Sequence, residues 1–191
     1  MCGIVGCVGR ENLVDIALSA LKRLEYRGYD SAGLAVVQAS SDGTTLVMHK
    51  EKGRIMNLEA VLPMLNGSTV LAHTRWATHG VPSRINAHPQ LSCDGRVAVV
   101  HNGIIENFHH LREELQNEGH KFKSDTDTEV IPHLIEHSYH QHGDLPTAVL
   151  ETVRRLDGAY ALGIICADAP DTLIAARNQS PLVIGLGPEH N

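Results

Sequence analysis

Segments of strand length follow one another along this chain with hairpin-like spacing, and their order constrains the fold more than any other feature. The apolar segments 34–38 and 46–49 flank the Ser41-Asp42-Gly43 turn and predict a hairpin. Three more apolar segments close the chain, at 160–166, 172–176 and 182–186. Runs of strands favour antiparallel sheets, whereas strict alternation of strands with helices is typical of parallel ones. The sequence therefore predicts an α+β fold.

The rest of the chain divides into strands and helices with no linker or low-complexity run between them, which indicates one domain. Further strands are predicted at 3–8, 69–73 and 97–101. Apolar residues at helical spacing, with Thr128 as an N-cap and Gly119 as a C-cap, predict helices at 13–24, 55–65, 108–118, 129–142 and 146–156. A polar segment, 74–92, is too long for a simple connector, so we expect it to be functional.

Composition excludes several classes of protein. The net charge of −6 and pI near 6.1 argue against a nucleic-acid binder or a binder of anionic membranes, because both need a basic face. No apolar run reaches the length of a membrane span, and the chain start does not resemble a signal peptide. The four cysteines form no CxxC pair, so we expect a reducing, cytoplasmic location. Small molecules are the expected partners.

The chain opens Met1-Cys2-Gly3-Ile4-Val5-Gly6. If Met1 is removed, Cys2 carries both a thiol, with an ordinary pKa of about 8.5, and an α-amine with a pKa of about 7.7 to 8.0. This amine can accept the thiol proton near neutral pH, so the residue can be a nucleophile and a base at once. From these residues alone, a buried cysteine in the first strand remains the other interpretation.

Six segments that occur in a fixed order carry a resemblance to a known family. They are Cys2-Gly3-Ile4-Val5-Gly6, Glu25-Tyr26-Arg27-Gly28-Tyr29-Asp30-Ser31-Ala32-Gly33, His73-Thr74-Arg75-Trp76-Ala77-Thr78-His79-Gly80, Asn86-Ala87-His88-Pro89, His101-Asn102-Gly103-Ile104-Ile105-Glu106-Asn107 and Ser124-Asp125-Thr126-Asp127-Thr128-Glu129. Together they closely resemble the glutaminase domains of the glutamine–fructose-6-phosphate aminotransferases, which are class II glutamine amidotransferases. Other class II amidotransferases share the cysteine start but differ in the Arg-Trp-Ala-Thr-His stretch.

The resemblance implies an N-terminal-nucleophile (Ntn) hydrolase fold, a four-layer αββα sandwich with two antiparallel sheets. It implies that residues 1–191 are a glutaminase (type 2 amidotransferase) domain. We expect this domain to be truncated at its C-terminus, without its last strands and without the two sugar-isomerase domains of the family. The implied activity is hydrolysis of L-glutamine through a Cys2 thioester. In the whole enzymes the ammonia passes to fructose 6-phosphate and yields glucosamine 6-phosphate.

Glutamine recognition requires a cation, an anion and a site that stabilises an oxyanion. With the resemblance, Arg75 is expected to bind the α-carboxylate with two parallel hydrogen bonds, and Asp127 to face the α-ammonium. Asn102 and Gly103 are expected to form the oxyanion hole. The alternatives are an exposed salt bridge for Arg75, a helix cap for Asp127 and a tight turn for Asn102-Gly103.

The polar segment supplies the remaining expected site residues. As in the family, Trp76, Thr78 and His79 are expected to fold over glutamine as a lid, the alternative being an ordinary surface loop. Arg27 is expected to support the nucleophile, with an ion pair to Asp30 or Glu25 as the alternative. The ordinary expectation for His88 and His101 is that each is a hydrogen-bonded core histidine.

No metal and no cofactor is predicted. His133, His137 and His140 share one helix face and could hold Zn²⁺, but a solvated or partly buried face is preferred because no Cys or carboxylate completes a known ligand pattern. Three rival functions stay open: a glutamine-binding module without turnover if Met1 is retained, a glutaminase domain of another class II amidotransferase, and a histidine-rich metal-binding protein. The oligomeric state is not predicted.

Overall fold

The computed structural model describes residues 2–9, 12–41 and 43–187. Its strands are β1 (Gly3–Val8), β2 (Ser31–Ser40), β3 (Gly43–Lys52), β4 (Thr69–Arg75), β5 (Gln90–Leu91), β6 (Val97–Gly103), β7 (Tyr160–Cys166) and β8 (Ala169–Asn178). Its α-helices are α1 (Leu13–Leu24), α2 (Ile55–Glu59), α3 (Phe108–Asn117), α4 (Val130–His142) and α5 (Leu145–Arg155). Met1, whose removal the expected nucleophile requires, and residues 188–191, where the domain is expected to be truncated, lie outside the described residues.

The strands form two antiparallel sheets, in the orders β1-β4-β2-β3 and β5-β6-β7-β8. Side chains such as Leu71, Val100 and Ile165 fill the space between the sheets and are fully buried. Removing each such side chain from water contributes about 1.5 to 3 kcal/mol. The predicted α+β class and its antiparallel sheets are confirmed.

Helices cover the outer face of each sheet. The apolar stripe of α1, with Ala17 and Leu21 at its centre, packs with α2 on the first sheet. Helices α3, α4 and α5 pack on the second sheet, around Ile131 and Ile135. The result is the four-layer αββα sandwich that the resemblance implied.

The structure differs locally from the sequence-based expectations. Helix α2 ends at Glu59 rather than at residue 65, because Pro63 lacks an N–H and restricts the residue before it. Strand β5 lies within the polar segment and was not predicted. Thr128 does not cap α4, because its hydroxyl lies 2.9 Å from Nδ1 of His101 instead.

The predicted strand at 182–186 is wrong. Residues 181–187 have no regular structure, and Val183 and Leu186 are 90% and 86% exposed. An apolar run becomes a strand only when a neighbouring strand supplies hydrogen-bond partners. No strand among residues 2–9, 12–41 and 43–187 pairs with this run.

The topology brings three strand ends to one edge of the sandwich. Gly3 at the start of β1 pairs with Thr74 near the end of β4, so Cys2 lies beside Arg75 and Trp76. Strand β6 of the other sheet ends nearby at Gly103. The side-chain amide of Asn102 donates a hydrogen bond to the carbonyl oxygen of Cys2 (3.0 Å) and joins the two sheets there.

Candidate active site

A cavity of about 490 Å³ opens at this shared edge. Eight of the nine expected site residues line it: Cys2, Arg27, Arg75, Trp76, Thr78, Asn102, Gly103 and Asp127. The ninth, His79, packs its ring edge-on against Phe108 at a centroid distance of 5.2 Å instead. The volume is in the range of small-molecule sites. Residues that lie up to 125 positions apart in the chain, from 2 to 127, therefore share one pocket.

Cys2 lies half-buried at the cavity wall. Burial raises the pKa of its thiol, and the hydrogen bond from the Trp76 amide to Sγ (3.2 Å) offsets only part of that rise. The thiol is therefore protonated at neutral pH and needs a base to become a nucleophile. A purely structural cysteine sealed in the core, the other interpretation of the sequence, does not fit a side chain that lines an open cavity.

Asn102 is oriented by a residue to which sequence reasoning assigned no role. Nε2 of His73 lies 3.0 Å from Oδ1 of Asn102 and 3.2 Å from the carbonyl oxygen of His101. Both of these atoms only accept hydrogen bonds, so Nε2 carries the proton. Burial lowers the pKa of His73 to about 3, which keeps the ring neutral. This donor turns the amide nitrogen of Asn102 toward Cys2. A histidine inside a buried strand gives no sequence signal of such a role.

Gly103 occupies a position that excludes a side chain. Its φ is +139°, and a Cβ would collide with the carbonyl oxygen of Ala159. Asn102 and Gly103 pair with Ala161 and Tyr160 in the β6–β7 ladder. The alternative that this dipeptide forms a tight turn is therefore wrong.

Arg75 and Asp127 place opposite charges in the cavity. Arg75 is only 3% exposed and donates to the backbone carbonyl oxygens of His79 and Gly80, the latter at 3.3 Å. Its other terminal nitrogen, Nη1, has no hydrogen-bond partner among the described residues. A buried guanidinium with a spare donor favours an anionic ligand. The alternative of an exposed salt bridge is wrong.

The carboxylate of Asp127 is buried. One oxygen accepts the backbone N–H of Ile105 (2.9 Å), and the other lies 4.0 Å from Nδ1 of His79. Asp127 does not cap α4, which begins at Val130 without a side-chain cap. Its negative charge therefore remains available to a cationic ligand group.

The segment after β4 contributes an aromatic wall. Trp76 is 47% exposed, and its ring meets Tyr29 edge-on at a centroid distance of 5.7 Å. The carboxylate of Asp30 accepts the N–H of Ala77 (2.9 Å) and holds the start of the segment. Trp76 and Thr78 thus border the cavity as a lid would. That the segment closes over a ligand stays a prediction.

Arg27 makes neither of the ion pairs considered for it. Its Nε donates to the hydroxyl of Tyr26 (3.2 Å), while the carboxylates of Glu25 and Asp30 accept backbone N–H groups of Ile55 and Ala77. It lines the cavity, but its support of the nucleophile stays a prediction.

Three histidines form a buried cluster beside the cavity. The ring centroids of His73 and His88 are 4.4 Å apart, and those of His88 and His101 are 6.5 Å apart. Burial lowers the pKa of His88 well below its ordinary value and that of His101 to about 4. The core roles expected for His88 and His101 are confirmed by their burial and hydrogen bonds.

This cluster predicts a pH dependence of stability. A histidine whose pKa is about 4 when folded and about 6.5 when unfolded takes up a proton on unfolding between these values, so the free energy of unfolding falls as the pH falls. His101 contributes about 2 kcal/mol to the fall in the free energy of unfolding between pH 7 and pH 5. We therefore expect His101→Gln to lose about 2 kcal/mol less than the wild type between pH 7 and pH 5, measured by urea unfolding. An identical loss in both proteins would contradict the assignment.

Comparison with known proteins agrees with this geometry. Residues 73–189 match the family model of a glutamine amidotransferase domain. The chain belongs to this family. No helix among the described residues has the length and apolar character needed to cross a membrane.

Two curated relatives of this amidotransferase domain match it over nearly its whole length. The glutamine–fructose-6-phosphate aminotransferase [isomerizing] of Symbiobacterium thermophilum is 55% identical over 189 residues, which is 98% of this chain and 30% of the relative. The enzyme of the same name from Clostridium perfringens is 50% identical over 189 residues, again 98% of this chain and 30% of the relative. The chain thus spans about 30% of the length of these relatives.

A solved structure shares the fold of this amidotransferase domain. The glutamine phosphoribosylpyrophosphate amidotransferase from B. subtilis, complexed with ADP and GMP, superposes with a TM-score of 0.72 at 30% identity. The match covers 87% of this chain and 35% of that one. The predicted Ntn hydrolase fold is therefore confirmed, because a solved amidotransferase has the same fold.

Proposed function

We propose that this domain hydrolyses L-glutamine to glutamate and ammonia through a thioester on Cys2. The observation that carries the proposal is the hydrogen bond, at 3.0 Å, between Asn102 in β6 and Cys2, which directly precedes β1. Both residues line a cavity that the buried guanidinium of Arg75 also lines. A thiol, an amide donor and a guanidinium within one pocket are the groups that acyl transfer from an amino acid requires.

Glutamine would bind by its charged end. The spare Nη1 donor of Arg75 faces the α-carboxylate, and the buried carboxylate of Asp127 faces the α-ammonium. These two contacts direct the side-chain amide toward Cys2. Trp76 and Thr78 would exclude water from the bound substrate.

The chemistry then follows in two halves. When Met1 is absent, the α-amine of Cys2 takes the thiol proton, and Sγ attacks the amide carbon of glutamine. The negative oxygen that forms accepts hydrogen bonds from Gly103 and from Asn102, whose amide nitrogen carries a second hydrogen besides the one directed at Cys2. The intermediate collapses when the amine passes the proton to departing ammonia. Water attacks the thioester in the same way, which releases glutamate and restores the thiol.

The acceptor of the ammonia is proposed from the relatives. Their names specify fructose 6-phosphate, so we infer that sugar-isomerase domains joined to this domain would use the ammonia to form glucosamine 6-phosphate. The four free cysteines support a reducing, cytoplasmic setting. The rivals are a glutamine-binding module without turnover and a glutaminase that serves another acceptor.

An electrophilic glutamine analogue tests the proposed hydrolysis. We expect it to label Cys2 and to spare Cys7, Cys93 and Cys166, because only Cys2 lies in the cavity. Peptide mapping by mass spectrometry locates the adduct, and intact mass establishes the loss of Met1.

The exposed Cys93 is the internal control for unspecific alkylation. In metal-free protein, iodoacetamide, which lacks the α-carboxylate and α-ammonium, should label Cys93, and added glutamine should protect only Cys2. An adduct on a different cysteine, or none after Met1 removal, would refute the proposal. Labelling of Cys2 without release of glutamate would favour the binding module.

A further inference from the structure

His133, His137 and His140, which could have held Zn²⁺ together, each contact a different set of residues. Nδ1 of His137 lies 3.3 Å from the carboxylate of Glu118, and Nε2 of His140 lies 3.5 Å from that of Asp94. His133 instead faces residues from other parts of the chain. Sequence spacing showed no Cys or carboxylate that completes a known ligand pattern with these histidines, but in the structure Cys93 and Glu136 both approach His133.

We propose that Cys93, His120, His133 and Glu136 bind one Zn²⁺ ion. Their four ligand atoms all lie within 4.8 Å of one another. Cys93 comes from the turn between β5 and β6, His120 follows α3, and His133 and Glu136 are one turn apart on α4. Thiolate, imidazole and carboxylate are the ligands that zinc takes in proteins.

The distances between ligand atoms fit a tetrahedral ion. Sγ of Cys93 lies 3.7 Å from Nδ1 of His120 and 3.5 Å from Nδ1 of His133. Oε2 of Glu136 lies 3.2 Å and 3.6 Å from the same two nitrogens. With Zn–S of about 2.3 Å and Zn–N or Zn–O of about 2.0 to 2.1 Å, tetrahedral edges are about 3.6 Å for S to N and about 3.3 Å for N to O. These four distances match the tetrahedral edges closely.

Behind His133, on the side away from the cluster, lies a carboxylate that is itself held in place. Nε2 of His133, the ring nitrogen away from the cluster, makes no hydrogen bond among the described residues, and the carboxylate of Glu129 lies 3.7 Å from it. A carboxylate on the far nitrogen is the usual partner of a zinc-bound histidine. That carboxylate is itself held by the backbone N–H groups of Lys123 (2.8 Å) and Ser124 (2.6 Å). Sγ of Cys93 accepts a hydrogen bond from the backbone N–H of Lys121 at 3.4 Å.

Burial divides the site between core and solvent. The side chains of His133 and Glu136 are 1% and 5% exposed, whereas Cys93 is exposed and gives the ion a path from solvent. Four protein ligands complete a tetrahedral shell, so the ion would have a structural role. It would connect three parts of the fold: the β5–β6 turn, the segment that follows α3, and helix α4. None of the four ligands lines the described cavity around Cys2, so the site is separate from the proposed chemistry.

Zinc titration of the full chain tests this proposal. The titration uses the Cys2→Ala protein, so that the cavity thiol does not bind the added ion. We expect isothermal calorimetry with ZnCl₂ to give one ion per chain. Cys93→Ser and His120→Ala should each weaken the affinity by at least about tenfold, since even residues behind the ligands cost that much. His140→Ala, on the same helix but outside the set, should bind zinc like its parent.

A second pair of measurements keeps the proposal falsifiable. Cobalt(II) bound through Cys93 should show a sulfur-to-metal charge-transfer band that Cys93→Ser lacks, and zinc should raise the melting temperature of the parent by more than that of Cys93→Ser. Loss of binding in His137→Ala with retention in Cys93→Ser would assign the ion to Glu118, His120 and His137, which also lie close together, and would overturn the proposal. Absence of one-to-one zinc binding by the parent would overturn it as well.

Discussion

Replacing Cys2 with alanine is expected to abolish glutamate release from L-glutamine. The thiol is the atom that forms the bond to substrate in the proposed mechanism, so kcat should fall on the order of 10⁴-fold or more. The fold should persist, because the side chain lies at a cavity wall and its backbone carbonyl, which is unchanged, makes the contact to Asn102. A coupled assay of glutamate and a circular dichroism spectrum measure the two expectations.

Cys7→Ala is the matched control for this substitution. Cys7 lies in β1, the strand that Cys2 directly precedes, but it is buried and does not line the cavity. It should retain the rate of the wild type, apart from any loss of folded protein. Glutamate release by Cys2→Ala above roughly a few per cent of the wild-type rate would show that another group performs the attack.

Replacing Asn102 with alanine is expected to lower kcat about 100- to 1000-fold while the Michaelis constant changes little. The amide of Asn102 would bind an oxygen that becomes negative only after attack, so it stabilises the transition state more than bound glutamine. Steady-state kinetics of glutamate release separate the two parameters.

Asn102→Asp is the control that keeps the shape of the side chain. Its carboxylate can still accept the hydrogen bond from His73, but it has no N–H to donate and adds a negative charge. We therefore expect a fall in kcat at least as large as in Asn102→Ala. A rise of the Michaelis constant with unchanged kcat, in either variant, would show that Asn102 binds glutamine rather than the oxyanion.

The sequence by itself predicted most of the local structure and indicated most of the expected site residues that line the cavity. Apolar runs of strand length and apolar residues at helical spacing predicted nearly all strands and helices, because these patterns indicate which segments are buried. Gly119 follows α3 with a positive φ, as expected of a C-cap, since a residue without Cβ adopts this conformation at little cost. Motifs such as His73 to Gly80 indicated Arg75, Trp76 and Thr78 as site residues, and all three line the cavity.

Only the tertiary structure decided which distant groups meet. His73 orients Asn102, and Cys93 joins His120, His133 and Glu136, because strand register and sheet packing bring separate segments together. The run at 182–186 shows the same limit in reverse, since its apolar side chains specify a strand only if another strand is beside them. Local patterns depend on dihedral preferences of neighbouring residues. Contacts between residues far apart in the chain depend on how whole sheets pack, which no single segment encodes.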